Sequence, residues 1–203
     1  MMAQQTFPEV AGYKAGKWII DPSHSEVSFL LRHTLVHIRG RFGVEGVIVT
    51  EGDLQDSHVE VKIDPTSFWS GSPVRDEKIR YLGDFLDARQ FPEITFRSTG
   101  LEPVDDRHFK LHGTLVARGV ERQIVLDARF NGFGRCDLYG LRMGFLATTT
   151  LDRRDFGIST SPPVVDTTIP LEENPTMLGW KLAVEIHVES VLEGDQGKYR
   201  WTQ

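Results

Sequence analysis

The chain has 203 residues, a length that suits one all-β domain with a sizeable core. Its formal net charge is −6 and no block of Lys and Arg occurs, which argues against a nucleic-acid binder because phosphate backbones require clustered cations. The same charge argues against adhesion to an anionic membrane surface, and no stretch approaches the ~20 apolar residues of a membrane-spanning helix. We therefore expect no nucleic-acid partner and no stable membrane insertion.

The first residues and the cysteine usage bear on the cellular compartment. Segment 1–16 lacks the basic start and the apolar run of ~7 to 15 residues that a secretory signal needs, and we expect it to be a flexible lead. Cys136 is the only cysteine, so no internal disulfide indicates an oxidising compartment. These features predict a cytoplasmic protein in which Cys136 is a small buried or half-buried apolar residue.

Alternation of apolar and polar residues begins at Trp18 and continues through most of the chain. Within segment 27–33, Val27, Phe29 and Leu31 share one parity, which is the period of two typical of a half-buried strand. The same period recurs in segments 59–63, 94–97, 109–115, 124–130 and 182–188, and we expect two more strands at about 42–50 and 138–151.

About eight strands that each carry one apolar face favour an antiparallel sheet. A single sheet of that size tends to curl, and its closure into a barrel removes the two unpaired edges. An eight-stranded barrel has an interior just wide enough for packed side chains or for one slim ligand. A sandwich of two sheets shows the same alternation, so the pattern leaves both architectures open.

Segment 64–92 lacks the alternation of a strand. Pro73 predicts the start of a helix with Ser72 as its N-cap, because proline suits the first helical position. A broken helical stripe follows, formed by Val74, Lys78, Ile79, Leu82 and Phe85. We expect one or two short helices that cover an opening of the barrel. We also expect segment 161–180 to be a long connection before the last strand, and segment 193–203 to be a disordered tail.

The histidines are the first candidates for a metal site. His33 and His37 share a parity but lie about 13 Å apart on an extended strand, and His24 precedes that strand. Because a metal needs about three converging donors, we expect no metal site here. His24 is instead predicted to fix a turn, and His33 to occupy a polar position inside the barrel or at its mouth.

Carboxylates are the other candidates for chemistry. Asp152, Asp155 and Asp166 lie close in sequence to Arg153 and Arg154, which predicts surface ion pairs or a cap of the turn that follows. The sequence contains no nucleophile elbow, no glycine-rich phosphate loop and no Walker-type lysine. No catalytic set therefore emerges from the motifs.

The inward parity is rich in aromatic residues, among them Phe29, Phe96, Phe109, Phe130 and Phe145. Such side chains can pack against one another as a solid core or line a tunnel. The residues alone favour the solid core and leave the tunnel open.

Motifs along the chain resemble those of the YceI-like family in the same order. Segment 18–33 reads W-x-I-D-P-S-H-S-E-V-x-F-x-x-R-H and resembles the family's opening strand, and R-G-R-F follows. Segment 75–98 contains R-D, D-F-L-D and F-P-x-I-T-F-x-S, which are similar to the family's helix-and-strand signature. Segment 113–124 reads G-T-L-x-x-x-G-V-x-R-x-I, and segment 144–158 reads G-F-x-A-x-x-x-L-x-R-x-D-F-G-I. The resemblance extends over about residues 16–191.

Three positions depart from the family pattern, and all concern the mouth of the pocket. Arg118 stands where relatives usually carry a histidine, and Lys78 with Ile79 replaces a frequent histidine-leucine pair. Residues 85–87 read F-L-D, where two phenylalanines often precede the aspartate.

The resemblance implies an all-β fold, namely an eight-stranded, extended antiparallel lipocalin-like barrel over residues 17–192. It implies a non-catalytic protein that binds, stores or transports a polyisoprenoid, an isoprenoid quinone or a fatty-acid-like lipid, without a cofactor or metal and often as a homodimer. Together with the inward parity, it predicts a hollow barrel whose ligand-binding residues are Val27, Phe29, Leu31, His33, Phe42, Val61, Phe85, Ile94, Phe96, Leu115, Leu126, Phe145, Val184 and Ile186.

Two alternatives stay open at this point. An enzyme that acts on a quinone or a lipid head group would use His24, His33 and Asp155 near an opening of the barrel. A ligand-free interaction protein would instead have a solid core.

Overall fold

The computed structural model describes residues 13–164, 176–195 and 197. These residues form an antiparallel β-structure with a single α-helix, α1, at Pro73–Tyr81. The strands are β1 Gly16–Ile20, β2 Glu26–His33, β3 Val36–Thr50, β4 His58–Ile63, β5 Ile94–Pro103, β6 His108–Ala117, β7 Val120–Cys136, β8 Gly140–Asp152 and β9 Leu178–Leu192. Short 3-10 helices lie at Leu54–Asp56, Pro65–Ser67 and Arg153–Phe156.

The strand pairings return to their starting point. From β3 the order runs through β2, β9, β8, β7, β6, β5 and β4, and β4 pairs again with β3. All of these pairings are antiparallel. Closure gives each of these strands a partner on both sides, so their backbone groups are not presented as an open edge. This ring is the predicted eight-stranded arrangement, and we call it the barrel.

β1 is an additional strand that shares one position of the ring with β2. β1 pairs with the last residues of β3 and β9, whereas β2 pairs with their earlier residues. The motif at 18–33 resembles one opening strand, but the structure interrupts it at residues 21–25. Pro22 has no N–H for a ladder, and the Asp21 carboxylate accepts a hydrogen bond from the Ser23 backbone N–H at 2.9 Å, which favours a turn.

The connection between β4 and β5 carries the predicted helix. α1 begins at Pro73 as expected, and Ser72 stands at the N-cap, but the Ser72 side chain makes no capping hydrogen bond. The Ser72 backbone carbonyl accepts a hydrogen bond from the Asp76 N–H at 2.8 Å. The predicted helical stripe is too long, because α1 ends at Tyr81, before Leu82 and Phe85, and the Leu82 side chain is 49% exposed.

Two polar contacts attach α1 to the end of the barrel. The buried Asp76 carboxylate accepts hydrogen bonds from the Ser70 backbone N–H, at 3.0 Å, and from the Ser70 hydroxyl. The Arg80 Nε donates to the Phe68 carbonyl at 3.0 Å. Because antiparallel strands alternate in direction, this end of the barrel also holds the end of β2 and the start of β9.

Aromatic rings meet inside the barrel at the opposite end. Trp18 is fully buried, and its ring centroid lies 5.6 Å from that of Phe133, which lies 4.9 Å from that of Phe130. The Trp18 Nε1 donates to the Thr50 hydroxyl at 2.9 Å, which satisfies the polar atom of the indole. We call Trp18, Phe130, Phe133 and the buried Met143 beside them the Trp18 cluster.

Some predicted features fall partly outside the described residues. These are the lead at 1–16, of which residues 1–12 are not described, the tail at 193–203 and the connection at 161–180, of which residues 165–175 are not described. β9 begins at Leu178, earlier than the alternation at 182–188 predicts.

A candidate ligand-binding cavity

The barrel encloses a cavity of about 690 Å³, within the range of about 300–1,000 Å³ typical of small-molecule sites. All nine strands contribute side chains to its wall, and most of these side chains are apolar. The interior is therefore hollow rather than solid, which answers the question that the inward parity leaves open.

The predicted ligand-binding residues all lie on this wall. They are Val27, Phe29, Leu31, His33, Phe42, Val61, Phe85, Ile94, Phe96, Leu115, Leu126, Phe145, Val184 and Ile186. Except for Phe85, which follows α1, these residues belong to strands, where the pleat places alternate side chains on one face. The structure thus brings the predicted set together, and the contact of each residue with a ligand stays a prediction.

The predicted set omits several wall residues, and Phe133 is the most instructive. Phe109 and Phe130 have the inward parity and line the cavity as well. Phe133 has the opposite parity, yet it also lines the cavity because the register shifts between Phe130 and Gly132. A glycine after an aromatic residue within a predicted strand is a signal for such a bulge.

At one end the cavity reaches α1, and we call this end the mouth. His33, Arg75, Lys78, Ile79 and Phe85 contribute to the wall there. At the other end of the barrel the wall includes the polar residues Tyr13, Thr50, Ser57 and His58. Polar groups at the ends and apolar groups between them suit a long apolar molecule that carries a polar group.

Arg118, one of the departures from the family pattern, supports the mouth from the β6–β7 turn. Its Nη1 donates to the Gly83 carbonyl at 2.8 Å and to the Phe85 carbonyl. Its guanidinium carbon also lies 5.4 Å from the centre of the Phe91 ring. Arg118 therefore fixes the backbone that presents Phe85 to the cavity.

Arg153 also lines the cavity, but its guanidinium donates hydrogen bonds to backbone carbonyls. Its Nε donates to the Gly179 carbonyl at 2.8 Å, and its Nη1 donates to the Ile158 carbonyl at 2.8 Å. The guanidinium carbon of Arg153 lies over Trp180, 4.5 Å from the centre of its ring. Burial lowers the pKa of Arg153 to about 10, while the nearby Asp152 opposes this shift. These contacts make Arg153 a structural residue that joins β9 to the turn after β8.

A cluster of charged side chains lies between the end of β1 and the start of β2. The Asp21 carboxylate, 7% exposed, accepts from the Arg142 Nη1 at 2.7 Å and lies 2.9 Å from the His24 Nδ1. Arg142 also pairs with Glu189 at 2.6 Å. Burial raises the pKa of Asp21, but the hydrogen bonds from Arg142, His24 and Ser23 outweigh it, so the pKa is lowered. His24 thus fixes a turn, as predicted.

The same group offers three donor atoms to a metal ion. Ligand atoms of Asp21, His24 and Glu189 lie within 4.8 Å of one another. The Arg142 guanidinium already pairs with the carboxylates of Asp21 and Glu189, so a metal ion would have to displace the Arg142 side chain from both. The donor set fits a structural ion-pair network better than a metal site.

The residues predicted for an enzyme do not converge. His24 precedes the first residue of β2 and His33 ends that strand, so about 23 Å of extended chain separates them. Asp155 lies in the 3-10 helix after β8. Beside it, Asp152 caps this helix by accepting from the Arg154 N–H at 3.0 Å and pairs with the Arg154 side chain, as predicted.

Two further predictions concern Cys136 and Asp166. Cys136 is exposed, so the expectation of a buried or half-buried thiol is wrong. It ends β7 at the turn into β8, where the side chain leaves the barrel wall. Asp166 lies outside the described residues.

Comparison with known proteins identifies the relatives of this barrel. The chain matches the model of the YceI-like domain over residues 18–190. The chain belongs to the YceI-like family. A UPF0312 protein of Vibrio parahaemolyticus is 35% identical over 152 residues, which is 72% of this chain and 80% of the relative. A UPF0312 protein of Pseudomonas putida is 36% identical over 116 residues, or 57% of this chain and 59% of the relative.

Three solved structures share the fold. The Campylobacter jejuni YCEI protein has a TM-score of 0.56 and 26% identity, and the match covers 75% of this chain and 86% of that one. BcnA of Burkholderia cenocepacia has a TM-score of 0.70 at 17% identity, covering 84% and 98%. A polyisoprenoid binding domain from Saccharophagus degradans has a TM-score of 0.63 at 14% identity, covering 88% and 99%. Within the described part of this YceI-like chain, no helix is long and apolar enough to cross a bilayer.

Proposed function

We propose that this YceI-like chain binds a long apolar ligand inside its barrel and stores or transports it without catalysis. The ligand class is a polyisoprenoid, an isoprenoid quinone or a fatty-acid-like lipid. The observation that carries the proposal is the cavity of about 690 Å³ with its largely apolar wall. The structural similarity to a polyisoprenoid binding domain from Saccharophagus degradans supports the same ligand class.

The size of the cavity sets the scale of the ligand. A methylene group has nearly the volume of a water molecule in the liquid, about 30 Å³, so the cavity has room for a chain on the order of 20 carbons. Each buried methylene contributes about 0.8 kcal/mol, and the ordering of a flexible chain offsets a large part of the sum. Such a wall binds strongly and discriminates between chains mainly by their length and width.

A binding role without chemistry agrees with the position of the polar residues. His24 belongs to the ion-pair network with Asp21 and Arg142, and the length of β2 separates it from His33. General acid–base catalysis requires groups within hydrogen-bond reach of one substrate. The enzyme alternative is therefore the weaker one for this chain.

The proposal is tested on the purified protein in two steps. Organic extracts of the protein are examined by mass spectrometry, and we expect a co-purified lipid with a long apolar chain. The melting temperature is then measured with and without an added isoprenoid quinone, and we expect it to rise, because a ligand that binds only the native state stabilises it. If no lipid is extracted and the melting temperature does not change, the proposal fails.

A pair of tryptophan variants shows whether the lipid binds inside the barrel. Phe96 is a buried wall residue, and Phe96→Trp places a larger ring in the cavity. Val125 lies on β7, outside the wall and 42% exposed, so Val125→Trp adds the same side chain to the outer surface. We expect Phe96→Trp to weaken quinone binding at least tenfold and Val125→Trp to leave it unchanged. Normal binding by a folded Phe96→Trp protein would remove Phe96 from the site.

A further inference from the structure

The charged side chains on the cavity wall all have the same sign. Among the described residues that line it, the charged ones are Arg75, Lys78 and Arg153, and none is Asp or Glu. The whole chain carries 29 acidic residues against 23 basic ones. Acidic residues outnumber basic ones in the chain, so composition does not explain why the charged residues of the wall are all basic. The fold places the acidic side chains elsewhere.

At the mouth, α1 turns two of its basic side chains toward the cavity and its acidic side chains away from it. Arg75 and Lys78 are three residues apart, which places them on one side of a helix, and both line the cavity. Asp76 and Glu77 lie between them in sequence but do not reach the wall. The Asp76 carboxylate is turned toward Ser70, which donates both its N–H and its hydroxyl to it.

The two cations keep donors available at the mouth. The Arg75 Nε and Nη2 donate to the Ser70 hydroxyl and carbonyl, each at 2.7 Å, which orients the guanidinium. The remaining nitrogen, Nη1, makes no hydrogen bond to the described residues, and the Lys78 ammonium forms neither a hydrogen bond nor an ion pair with them. An oriented guanidinium beside a free ammonium is a common way to bind carboxylate or phosphate oxygens.

We propose that Arg75 and Lys78 bind an anionic head group, a carboxylate or a phosphate, of an amphiphile whose chain lies inside the barrel. This inference rests on the proposed function and narrows its ligand class. A hydrocarbon without a head group could form neither an ion pair nor a hydrogen bond with these two cations. In this arrangement the chain enters the apolar interior while its charged end stays beneath α1, beside the exposed Lys78.

The test compares ligands that share a chain and differ only in the head group. Geranylgeranyl monophosphate is compared with geranylgeraniol, and oleate with oleyl alcohol, each by calorimetry below its critical micelle concentration. We expect the anionic member of at least one pair to bind wild-type protein about tenfold more tightly than its alcohol, with an advantage that shrinks as salt is added. The pair with the larger advantage distinguishes a phosphate from a carboxylate ligand.

Charge variants locate the effect. Lys78→Gln is expected to reduce the preference for the anion over its alcohol several-fold, and Lys78→Glu is expected to abolish it. Lys78 is exposed on α1, so both variants are expected to fold, which circular dichroism checks. Lys62→Gln is the matched control, because Lys62 pairs with Glu93 and does not line the cavity.

The outcomes separate this inference from the proposed function. If alcohols and anions bind equally, or if Lys78→Glu leaves the preference intact, the head-group inference is wrong while lipid binding stands. If wild-type protein binds neither member of either pair, the head-group inference is wrong; the proposed function is overturned as well only if no lipid is extracted and an isoprenoid quinone leaves the melting temperature unchanged.

Discussion

The two ends of the barrel share one sequence pattern and differ in how their aromatic rings meet. In the Trp18 cluster, Trp18 on β1 contacts Phe133 on β7 although β9 and β8 lie between these strands in the sheet, so the rings cross the interior. Near the mouth, Phe29 on β2 and Phe42 on the adjacent β3 lie 6.0 Å apart and pack along one side of the wall. Rings that reach across the interior take up space within the cavity, whereas rings that lie along the wall leave that space open.

Side-chain size reinforces this difference. Opposite the mouth aromatics, the wall includes the small residues Ala128 and Ala147, which pair with each other across β7 and β8. The residues of the Trp18 cluster are larger, and Trp18 and Met143 are almost completely buried. The alternation of apolar residues therefore predicts which side chains face inward, whereas their size and reach decide whether they touch.

The largest effect is expected for Trp18→Ala. It removes a fully buried ring and its hydrogen bond to Thr50, and we expect the free energy of unfolding to fall by about 3–5 kcal/mol in a urea titration. Phe85→Ala at the mouth, where the side chain is half-buried, should cost less than half as much. Equal losses would show that the two ends of the barrel are packed alike.

Asp21→Asn tests the ion-pair network beside the Trp18 cluster. We expect a loss of about 2 kcal/mol at neutral pH, because a buried charge-assisted hydrogen bond to Arg142 is weakened. The folded-state pKa of Asp21 is lowered, so its contribution is present above the unfolded value of about 3.9 and is lost as the pH falls through the folded value. Wild-type stability should therefore decline more steeply below about pH 4 than that of the variant. Parallel acid profiles would contradict this account.

Ala147→Leu tests the hollow part of the barrel directly. Ala147 lines the cavity, so a larger side chain there has space to enter, and we expect the unfolding free energy to change by less than about 1 kcal/mol. Lipid affinity should fall at least tenfold because the new side chain occupies ligand volume. A large destabilisation with unchanged affinity would mean that the wall around Ala147 is packed rather than open.

The smallest effect is expected for Cys136→Ser. The thiol is exposed at the end of β7, so the free energy of unfolding should change by less than about 0.5 kcal/mol. The wild-type thiol should react with a thiol reagent in the native protein as fast as in the unfolded chain. Protection of the native thiol would place it inside the structure.

Much of the fold and wall could be predicted because a strand has a fixed period of two. Once Val27 and Phe29 are placed inward, Leu31 and the equivalent residues of the other strands must follow, and the closed ring gives all of them one interior. The hollow itself could not be predicted in this way, because it depends on the volumes of side chains that meet across the barrel.

The remaining differences arise from local geometry that a periodic pattern does not contain. The interruption at residues 21–25 depends on hydrogen bonds of Asp21, and the position of Phe133 on the wall depends on the bulge at Gly132. The cations at the mouth depend on how α1 is rotated by the contact between Asp76 and Ser70. Each of these local features places a residue differently from what the alternation of apolar and polar residues predicts.

The position of β9 in the ring has a consequence for biosynthesis. β9 pairs with β8 on one side and with both β1 and β2 on the other, so the last described strand closes the ring against the first two. Until the ribosome has made Leu178–Leu192, the nascent chain presents its apolar inner face and two unpaired edges. Ring closure is thus a late, long-range event, and folding should be slow and chaperone-dependent. Products that terminate before β9 are expected to aggregate rather than to retain a partial cavity.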